Sequence, residues 1–152
     1  MSKFTHLHVH TQYSILDGAS SIPGLIEKVK ADGMKALAIT EHGNMFGVKQ
    51  FHDKATKAGI KPIIGCEAYV AINSRFDRDK IIDKKRNHLI ILAKNKTGYH
   101  NLVKLISYAW LEGNYYKPRI DEDLLFELHE GLIISSACLG GKIPRLIREG
   151  KM

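Results

Sequence analysis

Three histidines alternate with two aliphatic residues in His6-Leu7-His8-Val9-His10. Successive side chains of an extended strand point to opposite faces, so this spacing predicts three imidazoles on one side, with Leu7 and Val9 on the other. Imidazole is a ligand for zinc, manganese, iron and related metals, and histidines two residues apart can converge on one cluster. Further donors follow later in the chain. Glu41 and His42, in Ala38-Ile-Thr-Glu-His-Gly43, come just after a short apolar run, where α/β sheets collect ligands at their carboxyl edge. Glu67 lies inside the apolar run from Pro62 to Val70, a costly place for a carboxylate unless it is paired or metal-bound. Its neighbour Cys66 then faces the core. Cys138 closes Ile133-Ile-Ser-Ser-Ala-Cys138 ahead of Gly140-Gly141 and fits two readings, a thiolate at the same rim or a core cysteine. Together these residues point to a metal site gathered at the carboxyl edge of a sheet.

Such a site needs a frame. Apolar runs of strand length alternate with amphipathic segments of helix length, the pattern of βα units. Phe4 to Thr11 reads as the first strand. Ser20 or Ser21 caps a helix with Pro23 in its first turn, with Leu25, Ile26 and Val29 on its apolar face, and with Gly33 at its end. Strands follow over Ala36 to Thr40 and Pro62 to Val70, with a helix from Met45 to Ala58 between them. Residues 72 to 87 are polar and charged, long for a connection, and read either as a functional loop or as a mobile hairpin tip. His88 to Ala93 is a strand, Thr97 to Glu112 a helix, Asp121 the cap of a short helix through Leu128, Leu132 to Ala137 a strand, and Ile143 to Glu149 the start of a helix.

At 152 residues and 44% hydrophobic content the chain has room for one domain with an ordinary core. No stretch reaches the apolar length of a membrane span, and the N-terminus lacks a signal-peptide pattern, so the expected location is cytoplasmic, with no membrane partner. Two well-separated cysteines form no CxxC pair and indicate neither a disulfide framework nor a zinc ribbon. The net charge of +7 suits an anionic partner, but acidic residues are interleaved with much of it between Arg75 and Arg86, as in a solvated loop.

The motifs Thr5-His-Leu-His-Val-His-Thr-Gln-Tyr-Ser-Ile-Leu-Asp-Gly18, Ala38-Ile-Thr-Glu-His-Gly43, Gly65-Cys-Glu67, Asn87-His-Leu-Ile-Ile-Leu-Ala93 and Gly98-Tyr-His-Asn-Leu102 occur in order. As a set they closely resemble the PHP (polymerase and histidinol phosphatase) domain that opens bacterial DNA polymerase III alpha subunits. The resemblance covers essentially the whole chain. It implies an α/β fold, the N-terminal part of a distorted (β/α)7 TIM-like barrel whose rim holds up to three divalent metal ions, zinc, manganese or iron. Carried over by position, the implied metal ligands are His8, His10, Asp17, His42, Glu67, His88 and Cys138. His6 stands where many relatives have aspartate, and it is expected, with Glu41, to orient ligands rather than bind metal. The implied chemistry is phosphodiester hydrolysis, a 3′ to 5′ exonuclease; the implied partners are DNA, through a parent polymerase, and other subunits of the replicative holoenzyme.

The family's last ligand pair, Asp-x-His, has no match in this sequence, so residues 1–152 are expected to be an incomplete PHP domain. Alone they are expected to be at most a metal-dependent phosphoesterase, and inactive. Two rivals stand beside catalysis: a structural metal-binding module that stabilises the polymerase and docks a partner, and a free-standing PHP phosphoesterase. His88 opens its strand where the other candidates close theirs. It reaches the common rim only if residues 62 to 70 and 88 to 93 pair antiparallel, and that arrangement is predicted.

Overall fold

The structure, a computed structural model, describes residues 4–151; the first three residues and the last of the span read as one domain lie outside the described residues. The elements run α1 (Ile22–Ala31), β1 (Ala36–His42), α2 (Val48–Lys57), β2 (Lys61–Ala71), β3 (Arg86–Ala93), α3 (Lys96–Leu111), β4 (Asn114–Tyr115), β5 (Lys117–Ile120), α4 (Glu122–Glu127), β6 (Leu132–Ser135) and α5 (Lys142–Arg148). The helix starts follow local capping chemistry. Ser21, Asn95 and Asp121 each accept a backbone N–H three residues on, from Gly24, Gly98 and Leu124.

β2 is the centre of the sheet. One of its edges takes β3 antiparallel, with Tyr69 opposite His88 and Glu67 opposite Ile90. The other edge is shared in sequence, by β1 parallel along residues 61 to 67 and by β5 parallel at Tyr69 and Val70. β6 adds antiparallel to β3, and β4 to β5. The antiparallel β2–β3 pair is the arrangement anticipated from the position of His88.

The pleat sorts β2 into two faces. Cys66, Ala68 and Val70 point to the helical side, where they pack with Leu102, Leu105 and Ile106 of α3. Next to them Leu37 and Ile39 of β1 meet Ile22, Ile26 and Phe51 of α1 and α2. Burying a side chain such as Ile22, Leu37, Ile39 or Phe51 contributes about 1.5–3 kcal/mol each. On the opposite face Ala38, Ile90 and Leu92 form a smaller apolar cluster with the half-buried Ile63. The same face carries Thr40, His42, Glu67, Tyr69 and His88, by the registers above.

Residues 4 to 11 do not form the predicted regular strand. The segment is extended beside β1, but its acceptors His6 O and Val9 O are three residues apart, whereas the donors they serve, Ala38 and Thr40 N–H, are two apart. One residue is therefore extra, with a bend at His8, and the alternation slips between His6 and His8. Leu7 consequently stays exposed while Val9 packs against the core. The short strands β4 and β5 were not anticipated, because Pro118 and Arg119 interrupt any apolar pattern.

The long connection between β2 and β3 is pinned rather than a loose hairpin tip. Arg119, fully buried on β5, donates to the carbonyls of Gly113, Asp83, Arg75 and Asp77. Arg75 in turn pairs with Glu112 and Asp121. The charges that read as a solvated face are thus partly spent on fastening the loop.

Candidate metal centre

The register of the sheet builds the site. His42 and Glu67 are direct neighbours across the parallel β1–β2 pair, and His88 lies opposite Tyr69 across the antiparallel pair, diagonal to Glu67 on the same face. His42 ends its strand because Gly43 adopts φ +62 and donates its N–H to Glu67 O; the space a side chain would need there is filled by Pro118 and Tyr69. His8 and His10 arrive over the edge of β1 from the preceding segment.

Glu67, 1% exposed, is the hub. Its Oε2 lies 2.7 Å from His8 Nε2, 2.8 Å from His10 Nε2 and 3.6 Å from His42 Nδ1. Its Oε1 is met by His88 Nδ1. Among the described residues two groups of three donors result, His8–His10–Glu67 and His42–Glu67–His88, and they share the carboxylate.

Burial alone would raise the Glu67 pKa, but the imidazoles of His10, His88 and His8 held against its two oxygens outweigh it and keep the carboxyl far below the usual carboxylate range. It is an acceptor ready to ligate without first losing a proton. For His10, burial pulls downward; the bond to Glu67 and the charges of Glu67, Asp17 and Glu41 prevail and leave its pKa raised. On the other face of β2, burial pushes the Cys66 thiol up, as befits a core cysteine.

A divalent cation fits this donor set. His42 Nδ1 is buried without a hydrogen-bond partner, and Glu67 Oε1, although close to His88 Nδ1, makes no well-formed hydrogen bond. Buried polar atoms left unpaired in this way are expected where a ligand is missing. His8 Nε2 and His10 Nε2 are 3.1 Å apart. Tetrahedral bonds of about 2.0–2.1 Å need donors about 3.3 Å apart, so the two histidines have to separate by about 0.2 Å and Glu67, now 2.7 and 2.8 Å from them, has to draw back by about 0.5–0.6 Å.

The other expected site residues fall around the two groups. Asp17 Oδ2 lies 2.8 Å from His42 Nε2, outside both groups and on the far side of the ring, as a carboxylate does when it orients a histidine. Cys138 is exposed, with its Sγ 3.7 Å from His88 Nδ1 and accepting the Gly140 N–H, so the sulfur borders the second group. Glu41 is completely buried and contacts Thr11 and Ser14 rather than the centre. His6 packs edge-on against Phe4, ring centroids 4.8 Å apart, and belongs to neither group; the slip between His6 and His8 accounts for its departure from the anticipated common face.

Two residues at the site were not picked out from the sequence for it. Tyr69 stacks on His42 and meets His88 edge-on, with ring centroids 6.0 and 5.2 Å away. Its position two residues after Glu67 on a strand was signal enough to find it. Ser14 lies in an irregular turn where no period applies, and spacing could not have found it.

A family model described as the PHP domain matches residues 6–152. DNA polymerase III subunit alpha of Borreliella burgdorferi is 56% identical over 147 residues, which is 96% of this chain and 13% of the relative. The subunit of the same name from Treponema pallidum is 54% identical over 149 residues, 97% of this chain and 13% of the relative. That of Thermus aquaticus is 53% identical over 154 residues, 99% of this chain and again 13% of the relative. The chain therefore spans about 13% of the length of these curated relatives. A solved amidohydrolase from Chromobacterium violaceum aligns with 68% of the chain and 34% of its own length, at 20% identity and a TM-score of 0.46, too slight a likeness to bear on the fold. With the ordered histidine and glutamate motifs, the paired donor groups and a family match over residues 6–152, the chain belongs to the PHP domain family.

Proposed function

We propose that residues 1–152 are the opening part of a (β/α)7 PHP barrel at the N-terminus of a replicative DNA polymerase III alpha subunit, and that their donor groups hold divalent metal ions for phosphodiester hydrolysis. The observation that carries this reading is Glu67, one buried carboxylate shared between two groups of histidines. A carboxylate shared in this way would serve cations in both groups, and their chemistry would suit displacement at phosphorus. Cations bound there lower the pKa of water and stabilise charge on the attacking and leaving oxygens. His8 and His10 hold one position; His42 and His88 hold the other, with Asp17 keeping the His42 ring in place and Cys138 at its border. Nitrogen and oxygen donors with a nearby sulfur suit zinc, manganese or iron.

On this reading the substrate is the 3′ end of a DNA strand, and the chemistry is exonucleolytic. Nucleotide transfer then belongs to the rest of the longer polypeptide that the relatives represent, with DNA and other replicative subunits as its partners, in the cytoplasm. Among the described residues no helix is long and apolar enough to cross a membrane.

The test is elemental analysis after loading with zinc or manganese, together with release of nucleotides from a 3′-labelled DNA strand. It is run on this chain and on the full-length polymerase subunit, each with and without Glu67→Gln. Bound metal and Glu67-dependent hydrolysis in the full-length subunit are expected. Bound metal without hydrolysis there assigns the centre a structural role, and absence of metal from both proteins refutes the proposal.

A further inference from the structure

Behind the metal centre lies a buried chain of hydrogen bonds that the donor groups do not include. Glu41 accepts the backbone N–H of Thr11 at 3.0 Å, the Thr11 hydroxyl at 2.5 Å and the Ser14 hydroxyl at 2.5 Å. Thr11, Ser14 and Glu41 are all buried. The same Ser14 oxygen accepts the His42 backbone N–H at 3.2 Å and lies 3.3 Å from His10 Nδ1.

A hydroxyl has one proton to give and two lone pairs to offer. At Ser14 the proton goes to the Glu41 carboxylate and one lone pair to His42 N–H. Only a lone pair is left for His10. A bond between Ser14 Oγ and His10 therefore forms only if Nδ1 carries a proton. Nε2 then faces Glu67 and His8; without a cation it donates to the Glu67 carboxylate 2.8 Å away, and it is the atom that would give up that proton to bind one.

We infer that Ser14 and Glu41 are positioning residues that hold the His10 ring by its Nδ1–H and so turn Nε2 toward the first group as its donor atom. Neither side chain touches a metal or substrate. The peptide N–H of His42 ends on the same oxygen, so the same serine also holds the backbone from which the second group's histidine projects. Which ring nitrogen is protonated is commonly set by the hydrogen bond its partner nitrogen makes. Here the partner is a serine that has itself been oriented by a buried carboxylate.

The inference rests on the metal-binding reading, and zinc itself is the probe. The primary measurement is long-range 1H–15N correlation on the histidine-labelled, zinc-loaded chain. His10 is expected to show a protonated Nδ1 and a zinc-bound Nε2. Ser14→Thr, which keeps the hydroxyl, is expected to retain that pattern, and Glu41→Gln, whose amide can donate to Ser14 and turn its hydroxyl toward His10, is expected to lose it. A zinc-loaded parent with His10 bound through Nδ1 or not bound at all, or a Ser14→Ala chain with the parent's pattern, overturns the inference. The wild-type spectrum decides even if a variant does not fold.

The second measurement is zinc affinity by competition with a chromophoric chelator. Ser14→Ala is expected to weaken binding roughly 10- to 100-fold with Ser14→Thr restoring it, and equal affinity in Ser14→Ala overturns the positioning role. A parent chain that binds no zinc sinks the metal reading and this inference with it, whereas a zinc-binding parent matched by Ser14→Ala sinks this inference alone.

Discussion

Replacing Glu67 by Gln keeps the volume of the side chain and removes its charge, and because both donor groups contain this residue, both must weaken together. The size of the effect follows from the number of donors. Structural zinc sites with four ligands have apparent binding energies of about 10–16 kcal/mol, roughly 2.5–4 kcal/mol for each ligand. That is about two to three decades in dissociation constant per ligand. The amide oxygen of Gln remains a weak donor, so the low end applies, and a loss of at least about 100-fold is expected at each group. His8→Ala removes a donor from the first group only, and His88→Ala from the second only. Chelator-competition titrations and metal-to-protein ratios on the three variants separate the patterns: Glu67→Gln affects both phases of binding, and each histidine variant affects one. If Glu67→Gln weakens a single phase, or leaves the metal ratio at the parent value, the two groups do not share this carboxylate and the paired-cation argument fails.

Two further outcomes test the frame. Arg119→Met withdraws a guanidinium from four carbonyls, two of which, on Gly113 and Asp83, are bonded in buried surroundings where water cannot replace it. At about 1–3 kcal/mol per stranded group the expected destabilisation is about 2–6 kcal/mol, read by urea unfolding. Amide exchange should also accelerate along residues 75 to 85, and a variant within about 1 kcal/mol of the parent would show that the loop is held by something else. Asp121 gives the pH dependence. Burial raises its pKa, but the backbone N–H groups of Arg75 and Leu124 and the Arg75 charge more than offset it, leaving the pKa lowered. A depressed folded value means stabilisation that is complete above the unfolded pKa of about 3.9 and is lost as pH falls through the folded value. Asn caps helices nearly as well as Asp, so Asp121→Asn isolates the charge. The stability gap between parent and variant should be constant from neutral pH down to about pH 5 and close below about pH 4; a gap that widens in acid contradicts the assignment.

The elements most legible in the sequence were those that one local rule governs. Ser21 and Asp121 announce helices by their capping side chains, and β1 and β2 are apolar runs of strand length; the cap at Asn95 emerged only from the structure. Glu67 stood out because a carboxylate in such a run is unstable without partners, and the partners are there. The expectation for His88 held for a topological reason: a residue at the start of a strand reaches the same rim as residues at the ends of others only if its strand runs the other way. What misled was periodicity applied where the backbone breaks it. A single extra residue beside β1 removed His6 from the face it was assigned, and nothing in His-Leu-His-Val-His marks the slip.

By itself the sequence determined the types of donor, their order along the chain and the membership of the PHP family, because these depend on residue identity and local spacing. Only the tertiary structure decided which donors share a position. That Glu67 serves two groups, that Asp17 backs His42 and that Arg119 pins the β2–β3 loop are consequences of strand register and of contacts across tens of residues. The role of Ser14 is the clearest case. A serine in a turn carries no signal of its own; it matters because Glu41, 27 residues away on β1, takes its proton and leaves its lone pairs for two histidines.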